Sequence, residues 1–299
     1  MVTRPTRVKK SPRARWQTRR PKGKPQVVVV GFGRLGGALS LGLKRAGWPV
    51  SVFPRSGDSV RRVTKMNLPL ADHDALREAD LCLLAVPDSA VGWLASTLRE
   101  EVDPQTALVH LAGALDLTAF GTDPEMLRRP RGSFHPLCAV SDPLADLSGH
   151  SVALAASDRA LMPSLWRMAL ALRMKPIEVP EARRAVYHAG AVMSAGLVVA
   201  LLSAAQECFA EAGIDEDTAL LALLPLLRSA LQGVEERGLA RGLTGPVARG
   251  DLAVVQAHLA ALPAELASIY RSLSLRALQL VRDQLPAETR NALERALRG

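Results

Sequence analysis

Apolar residues first gather at Val27–Val30, four valines in succession, and nothing before them has the spacing of a helix or a strand. A short run that is apolar at every position suits a parallel strand buried on both faces. Residues 35–46 then follow helical spacing and are closed by Gly47. The change of period recurs: residues 49–53 read as a strand, 72–79 as a short helix, 81–86 as a strand, 89–99 as a helix and 107–111 as a strand. Residues 152–156, 159–172 and 176–179 continue it as strand, helix and strand. Strand alternating with helix implies right-handed crossovers and a parallel sheet that extends to about residue 180.

Beyond Glu181 strand signals stop. Residues 182–212 read as one long helix, 218–236 as another, bent or broken at Pro225, and 251–262 and 264–283 as two more. In the last of these Leu266, Ile269, Tyr270, Leu273 and Ala277 form one apolar stripe, with Arg271, Arg276 and Arg282 elsewhere on the helix. Residues 189–206 carry no charge, but their wealth of Ala, Gly and Ser favours a buried central helix over a membrane span. The expected architecture is α/β, a parallel-sheet domain over residues 26–180 followed by an all-helical domain over 181–299.

Composition adds an arm and removes a function class. The 299 residues are 48% hydrophobic and 22% charged, enough to build a sizeable core, and the formal charge is +9. Residues 1–25 hold ten Lys/Arg and no acid, so the rest carries 28 basic against 29 acidic groups, a net −1. With Pro5, Pro12, Pro21 and Pro25 among the charges, residues 1–25 read as a disordered basic arm. The body offers no basic nucleic-acid face, and any such contact would fall to the arm. Three cysteines, Cys82, Cys138 and Cys208, lack the pairing of a disulfide framework and point to a reducing cytoplasm. Gly31, Gly33 and Arg34 cut the first apolar run short and no small-residue cleavage site follows, so export is not expected. Neither zinc-site spacing nor a hydrolase elbow is present, and no metal is expected.

The candidate chemistry begins where the valine strand ends, at Gly31-Phe32-Gly33-Arg34-Leu35-Gly36. Between a strand and a helix this spacing reads as a Rossmann dinucleotide loop. Gly31 allows the tight turn, Gly33 admits a pyrophosphate, and Gly36 lets helix and strand pack closely. At the end of the second strand, where NAD sites place a carboxylate, stand Arg55 and Ser56, which favours the 2′-phosphate of NADP. Asp58 keeps NAD open, since a different turn would bring it to the ribose. Val86 and Pro87 end the third strand, and Asp88 is placed to cap the next helix. Ala112 and Gly113 end the fourth and would let backbone sit near a nicotinamide ring; His135, in Ser133-Phe134-His135-Pro136, would bridge cofactor and substrate sites.

Taken with Tyr187-His188-Ala189-Gly190-Ala191 and Thr244-Gly245-Pro246-Val247-Ala248-Arg249-Gly250-Asp251 followed by His258, these motifs resemble the Rossmann-like proteins with a helical C-terminal domain of unknown function. That group is similar to pyrroline-5-carboxylate reductase, prephenate dehydrogenase and the 6-phosphogluconate dehydrogenase superfamily. The resemblance spans residues 26 to about 283 and implies an NADP-dependent oxidoreductase without an assigned substrate. It also implies a homodimer formed through the helical domain. The chain departs from the group's pattern at Gly196, where an Asn stands, and at Ala112, where a Ser stands.

Hydride transfer also needs a group that moves a proton at the substrate heteroatom. His188, in the first turns of the long helix, is the candidate for that role, and a hydrogen-bonded core histidine is the alternative. His135 would position substrate or proton, or cap a turn. Thr244 and Arg249 lie in a loop where a guanidinium would clamp a carboxylate or phosphate, or pair with Asp251. The expected function is NADP-dependent oxidation or reduction of a small polar metabolite, with the active site in the cleft between the domains. A dinucleotide-binding sensor or scaffold that has lost catalysis is the alternative.

Overall fold

Four valines in a row leave no polar face, so β1 (Val27–Val30) must be covered on both sides, and it lies inside a seven-stranded sheet. The computed structural model describes residues 23–299. Strands β2 (Val50–Phe53), β1, β3 (Leu81–Leu84), β4 (Ala107–His110), β5 (Arg131–Pro136), β6 (Ser151–Ala156) and β7 (Lys175–Glu178) follow one another in that spatial order. Neighbours are parallel except β5 and β6, which run antiparallel. Chain order reverses at β1, with β2 on one side and β3 on the other, which creates a switch point at the carboxyl ends of these strands.

Alternate side chains of the strands feed two cores. Val27, Val29, Leu81, Leu83 and Val109 pack with Leu39 and Leu43 of α1 (Arg34–Arg45) and with Leu165 and Met168 of α6 (Met162–Ala171). Val28, Val30, Cys82, Leu84 and Leu108 pack with Leu76 of α3 (His73–Glu78) and with Leu94 and Leu98 of α4 (Val91–Leu98). Each such side chain, fully buried, contributes about 1.5–3 kcal/mol.

Two elements of this region escape the hydrophobic pattern. Helix α2 (Gly57–Lys65) begins with glycine and is mostly polar, yet the hydroxyl of Ser56 accepts the amide of Ser59 and starts it. Strand β5 lies in the sheet interior although Arg131 and Ser133, both buried, interrupt its apolar character. A short α5 (Pro124–Arg128) precedes it.

The chain divides into two compact units between Met193 and Ser194, so that α7 (Arg184–Ser194) belongs almost wholly to the first. The second holds α8 (Gly196–Glu211), α9 (Glu216–Gly242), α10 (Pro246–Arg249), α11 (Leu252–Ala261), α12 (Ala264–Leu280) and α13 (Ala287–Arg298). Its small core joins Val247, Val255, Leu278, Leu293 and Leu297.

Three expectations are corrected here. The single helix over 182–212 is two, parted at Ala195, whose φ of −128° and ψ of −83° leave the helical region between Ser194 and Gly196. Helix α9 runs on through Pro225 and departs from helical geometry at Gly238 instead, where φ is 74°, a conformation glycine reaches without a Cβ clash. The uncharged stretch over 189–206 is not a buried central helix within this chain. The segment Glu181–Glu211 is long and apolar enough to cross a membrane, and none of its most apolar window is buried. Leu197 and Val199 are 52% and 68% exposed, because α9 packs beside α8 but leaves its own Leu221 76% exposed.

The basic arm lies outside the described residues except for 23–25. There the Lys24 Nζ donates to the carbonyls of Ala46 at 2.7 Å and Gly47 at 3.0 Å, so this cation is tied to the carboxyl end of α1.

Candidate functional site

Strand register sets the level of the site. Val30 pairs with Phe53 and Leu84, Leu84 with His110, and His110 with Ser133, so the residues that follow each partner emerge along one edge. Two residues beyond Ser133, His135 therefore rises to the level of Ala112.

At the β1 end the three glycines have three different surroundings. A Cβ on Gly31, whose φ is +100°, would meet the Ala85 carbonyl oxygen at 2.5 Å. On Gly36 it would meet the Gly31 oxygen at 2.7 Å and the Ala85 Cβ at 2.9 Å, so this residue brings α1 onto the sheet. On Gly33 it would meet nothing within 4 Å, which leaves an exposed cradle at the amino end of α1, where amides and the helix dipole favour an anion. That cradle fits a dinucleotide pyrophosphate. Phe32 turns inward instead, packing with Val52, Val63 and Leu68.

A cavity of about 560 Å³ opens beside the cradle. Its wall contains Gly33, Arg34, Leu35 and Gly36, then Val86, Pro87, Ala112 and Gly113, and on the far side His135 and His188. Ten of the residues singled out in the sequence thus share one wall, all within the first unit. Asp88 also lines the cavity. Its expected capping role is corrected: neither the short 3-10 turn it opens nor α4 has a side-chain cap, and the carboxylate is left exposed.

Arg55 is exposed beyond β2 with its guanidinium 5.2 Å from the centre of the Trp93 ring, and it forms no ion pair among the described residues. Asp58, by contrast, is engaged by Arg61 at 3.3 Å and Arg62 at 3.2 Å, which holds it along α2. The cation is the free charge at this strand end.

Histidines converge at the other end. The Arg184 side chain, 1% exposed, donates to the Ala112 carbonyl at 3.1 Å and fixes the backbone that leads into Gly113. A Cβ on Gly113 would collide with His188 Nδ1 and lie 2.8 Å from His135 Cε1, so glycine here makes room for two imidazoles. Their ring centres are 5.5 Å apart at 74°. The Nδ1 of His135 is 2.8 Å from the Tyr187 hydroxyl, and the Nδ1 of His188 is buried without a hydrogen-bond partner among the described residues. Burial, helped by His188 and Arg184, lowers His135 to about 4, so the ring is neutral near pH 7. Burial also lifts Tyr187 to about 12, and it stays a phenol. His110, just below, is lowered to about 4 by burial and Arg184.

Arg184 carries no motif of its own, and Tyr187, part of the motif that bears His188, has no role assigned by the sequence. Their signal is positional, one turn of α7 that also bears His188. Thr244 and Arg249 belong to the second unit. Thr244 lines an apolar cavity of about 440 Å³ there, with Leu201, Cys208 and Tyr270. Arg249, exposed at the end of α10, has no ion pair among the described residues; Asp251 instead caps α11 by accepting the Val254 amide at 3.2 Å.

A model of the Rossmann-like domain matches residues 11–121, and one of a domain of unknown function, DUF2520, matches residues 150–277. The chain thus carries a Rossmann-like domain and a DUF2520 domain whose match takes in β6 and β7 as well as the helices that follow, and the pair is the grouping its motifs resemble. Among solved structures, protein TM1727 from Thermotoga maritima is 21% identical with a TM-score of 0.70, over 86% of this chain and 99% of that one. An NADH-preferring ketol-acid reductoisomerase from an uncultured archean is 15% identical with a TM-score of 0.64, over 91% and 87%. A pyrroline carboxylate reductase from Plasmodium falciparum, with NADP bound, is 11% identical with a TM-score of 0.58, over 91% and 100%. At these identities the likeness is one of fold. No curated protein matches the chain in sequence.

Proposed function

We propose that this protein is a nicotinamide-dinucleotide-dependent oxidoreductase that takes NADP in preference to NAD and acts on a small polar metabolite. The observation that carries the reading is the single cavity on which the open cradle at Gly33, the strand ends at Val86-Pro87 and Ala112-Gly113, and the imidazoles of His135 and His188 converge. An NADH-preferring structural neighbour and one with NADP bound support a nicotinamide dinucleotide, and the preference for NADP rests on Arg55. The amides from Gly33 to Gly36 hold the pyrophosphate, with Arg34 beside them. Arg55 and Ser56 take the 2′-phosphate. When bound, the nicotinamide accepts or supplies a hydride; His135 holds the substrate heteroatom and His188 moves its proton. Two histidines kept at the cavity wall favour a working enzyme over a sensor.

A charge-assisted contact to the 2′-phosphate is worth roughly 1.5–3 kcal/mol, or about ten- to a hundredfold in affinity. Titrating the full chain and Arg55→Ala with NADPH and NADH tests the assignment. Loss confined to NADPH is the expected result, and an equal loss for NADH would overturn it.

Three free cysteines support a reducing, cytoplasmic setting. The exposed apolar residues of α8 and α9 we assign to a second copy of this chain. The break at Ala195 divides the apolar segment, so that α8 by itself is 16 residues, or ~24 Å, and the segment reaches spanning length only together with α7. Exposed apolar side chains in this number call for cover in a stable protein, and a twofold pairing covers them on both copies.

A further inference from the structure

We infer that Tyr187 fixes the tautomer of His135, so that His135 presents Nε2–H to the cavity as a neutral hydrogen-bond donor, and that the substrate group it meets is an oxygen acceptor, a carbonyl or the alcohol formed from it. The inference rests on the oxidoreductase reading for its substrate, and on geometry alone for its tautomer.

A neutral imidazole has one N–H. The Nδ1 of His135 is 2.8 Å from the Tyr187 hydroxyl, whose aromatic ring stands nearly perpendicular to the imidazole at 89°. The phenol proton has one protein acceptor among the described residues, that same Nδ1. The Arg184 guanidinium, 5.9 Å from the centre of the Tyr187 ring, is donor-only and offers it nothing. With Tyr187 donating to Nδ1, the single N–H of His135 falls on Nε2. That nitrogen is not among the buried unpartnered atoms, and His135 is part of the cavity wall.

The surroundings keep the ring neutral. Burial and the neighbouring His188 and Arg184 disfavour the imidazolium, and Tyr187 remains a phenol. A neutral imidazole N–H polarises a carbonyl oxygen, and it stabilises the oxygen as negative charge develops there. A protonated imine, the form that accepts hydride, has no lone pair on nitrogen and cannot receive this hydrogen bond. Tyr187 is then a positioning residue, and His135 is the group that touches substrate.

The test reads the ring directly, in the full chain labelled with 15N-histidine, with the His135 signals assigned by their loss in His135→Gln. At pH 7 the expected spectrum has Nε2 protonated and Nδ1 unprotonated, and Tyr187→Phe shifts the ring toward the other tautomer while NADPH affinity stays unchanged and the melting temperature falls by about 2–4 °C, as the loss of one hydrogen bond does. A protonated Nδ1 in the wild-type chain, or a spectrum indifferent to Tyr187→Phe, would overturn the tautomer. With NADPH and a panel of 2-oxo acids, aldehydes and the cyclic imine 1-pyrroline, turnover of the oxo compounds is expected. Loss of one neutral hydrogen bond should lower kcat about tenfold in Tyr187→Phe. Preference for the imine would overturn the substrate class. Failure of NADPH and NADH to bind would overturn the oxidoreductase reading instead and leave the NMR result standing.

Discussion

The two units differ in how they dispose of apolar surface. In the first, β1, β3 and β4 are buried along their whole length, and the two cores on either face of the sheet enclose them. In the second, the core cluster joins five buried side chains, with Leu223, Leu266 and Val281 buried outside it, while Leu221, Leu226 and Val199 are each more than 60% exposed. A sheet shields both its faces with the helices its own crossovers supply. A set of helices without a sheet shields only the stripes that happen to meet. The first unit therefore encloses its sheet and carries a built site, with its barest apolar groups, Val186 and Met193, on α7 next to the second unit's α8 in sequence, whereas the second presents a surface that calls for something further.

The first unit is most sharply tested at its glycine loop. Gly36→Val drives side-chain atoms into Ala85 and the Gly31 carbonyl, and should remove the folded state or cost several kcal/mol, as overpacking at a rigid contact does. Gly33→Val meets no protein atom. It should leave the melting temperature in place while lowering NADPH affinity a hundredfold or more, about 2.7 kcal/mol. A Gly33→Val chain that binds NADPH normally would sink the cofactor assignment.

The second unit is tested at its bare face. Leu221→Lys together with Val199→Glu replaces two of its most exposed apolar groups, and neither substitution disturbs a buried contact. Light scattering should change from a dimer to a 32 kDa monomer with the melting temperature of the first unit unmoved. A wild-type chain that is already a stable monomer at micromolar concentration would refute the pairing.

These contrasts also explain what could be read from the sequence. Burial on both faces writes itself as an unbroken apolar run, so β1, β3 and β4 were plain, and the glycine spacing marked the cradle. Strand β5 was obscured because two buried polar residues interrupt its apolar run: Arg131 donates to the Leu117 carbonyl at 3.2 Å, and the Ser133 hydroxyl is buried without a hydrogen-bond partner among the described residues. Tyr187 was obscured for a different reason. Its partner, His135, is on another element, and no local pattern records a pairing 52 residues away. The helical unit misled in the opposite sense, since an apolar helix reads as buried whether the covering partner is in the same chain or outside it.

Acid should separate the units next. His110 and His135, both in the first unit, are held near 4 against about 6.5 in an unfolded chain. Below 6.5 the unfolded chain binds more protons, so stability is full above that pH and is lost as pH falls toward 4. Each ring should contribute a loss on the order of 1 kcal/mol between pH 7 and 5. Denaturant titrations at the two pH values check this, and His110→Gln should flatten the dependence. In the second unit no histidine is buried in this way: His258 is exposed, with its Nδ1 2.9 Å from the Tyr270 hydroxyl.

The smallest effect is expected at the amino terminus, where the first unit meets its basic arm. Residues 1–22 hold nine of the ten cations that precede Val27, and removing them takes the formal charge from +9 to 0 without removing an apolar segment able to join either core. NADPH affinity and melting temperature should stay where they are. Lys24 is different, because its Nζ bonds the Ala46 and Gly47 carbonyls at the carboxyl end of α1, where a cation also meets the helix dipole. Lys24→Ala in the shortened chain should cost about 0.5 kcal/mol and lower the melting temperature by about 1–2 °C. Thermal scans of the full chain, the shortened chain and the shortened Lys24→Ala variant separate the two contributions. A large drop on removing 1–22 alone would mean that the arm docks on the body, and salt-sensitive retention on DNA or RNA that is lost with the arm would give it a nucleic-acid partner.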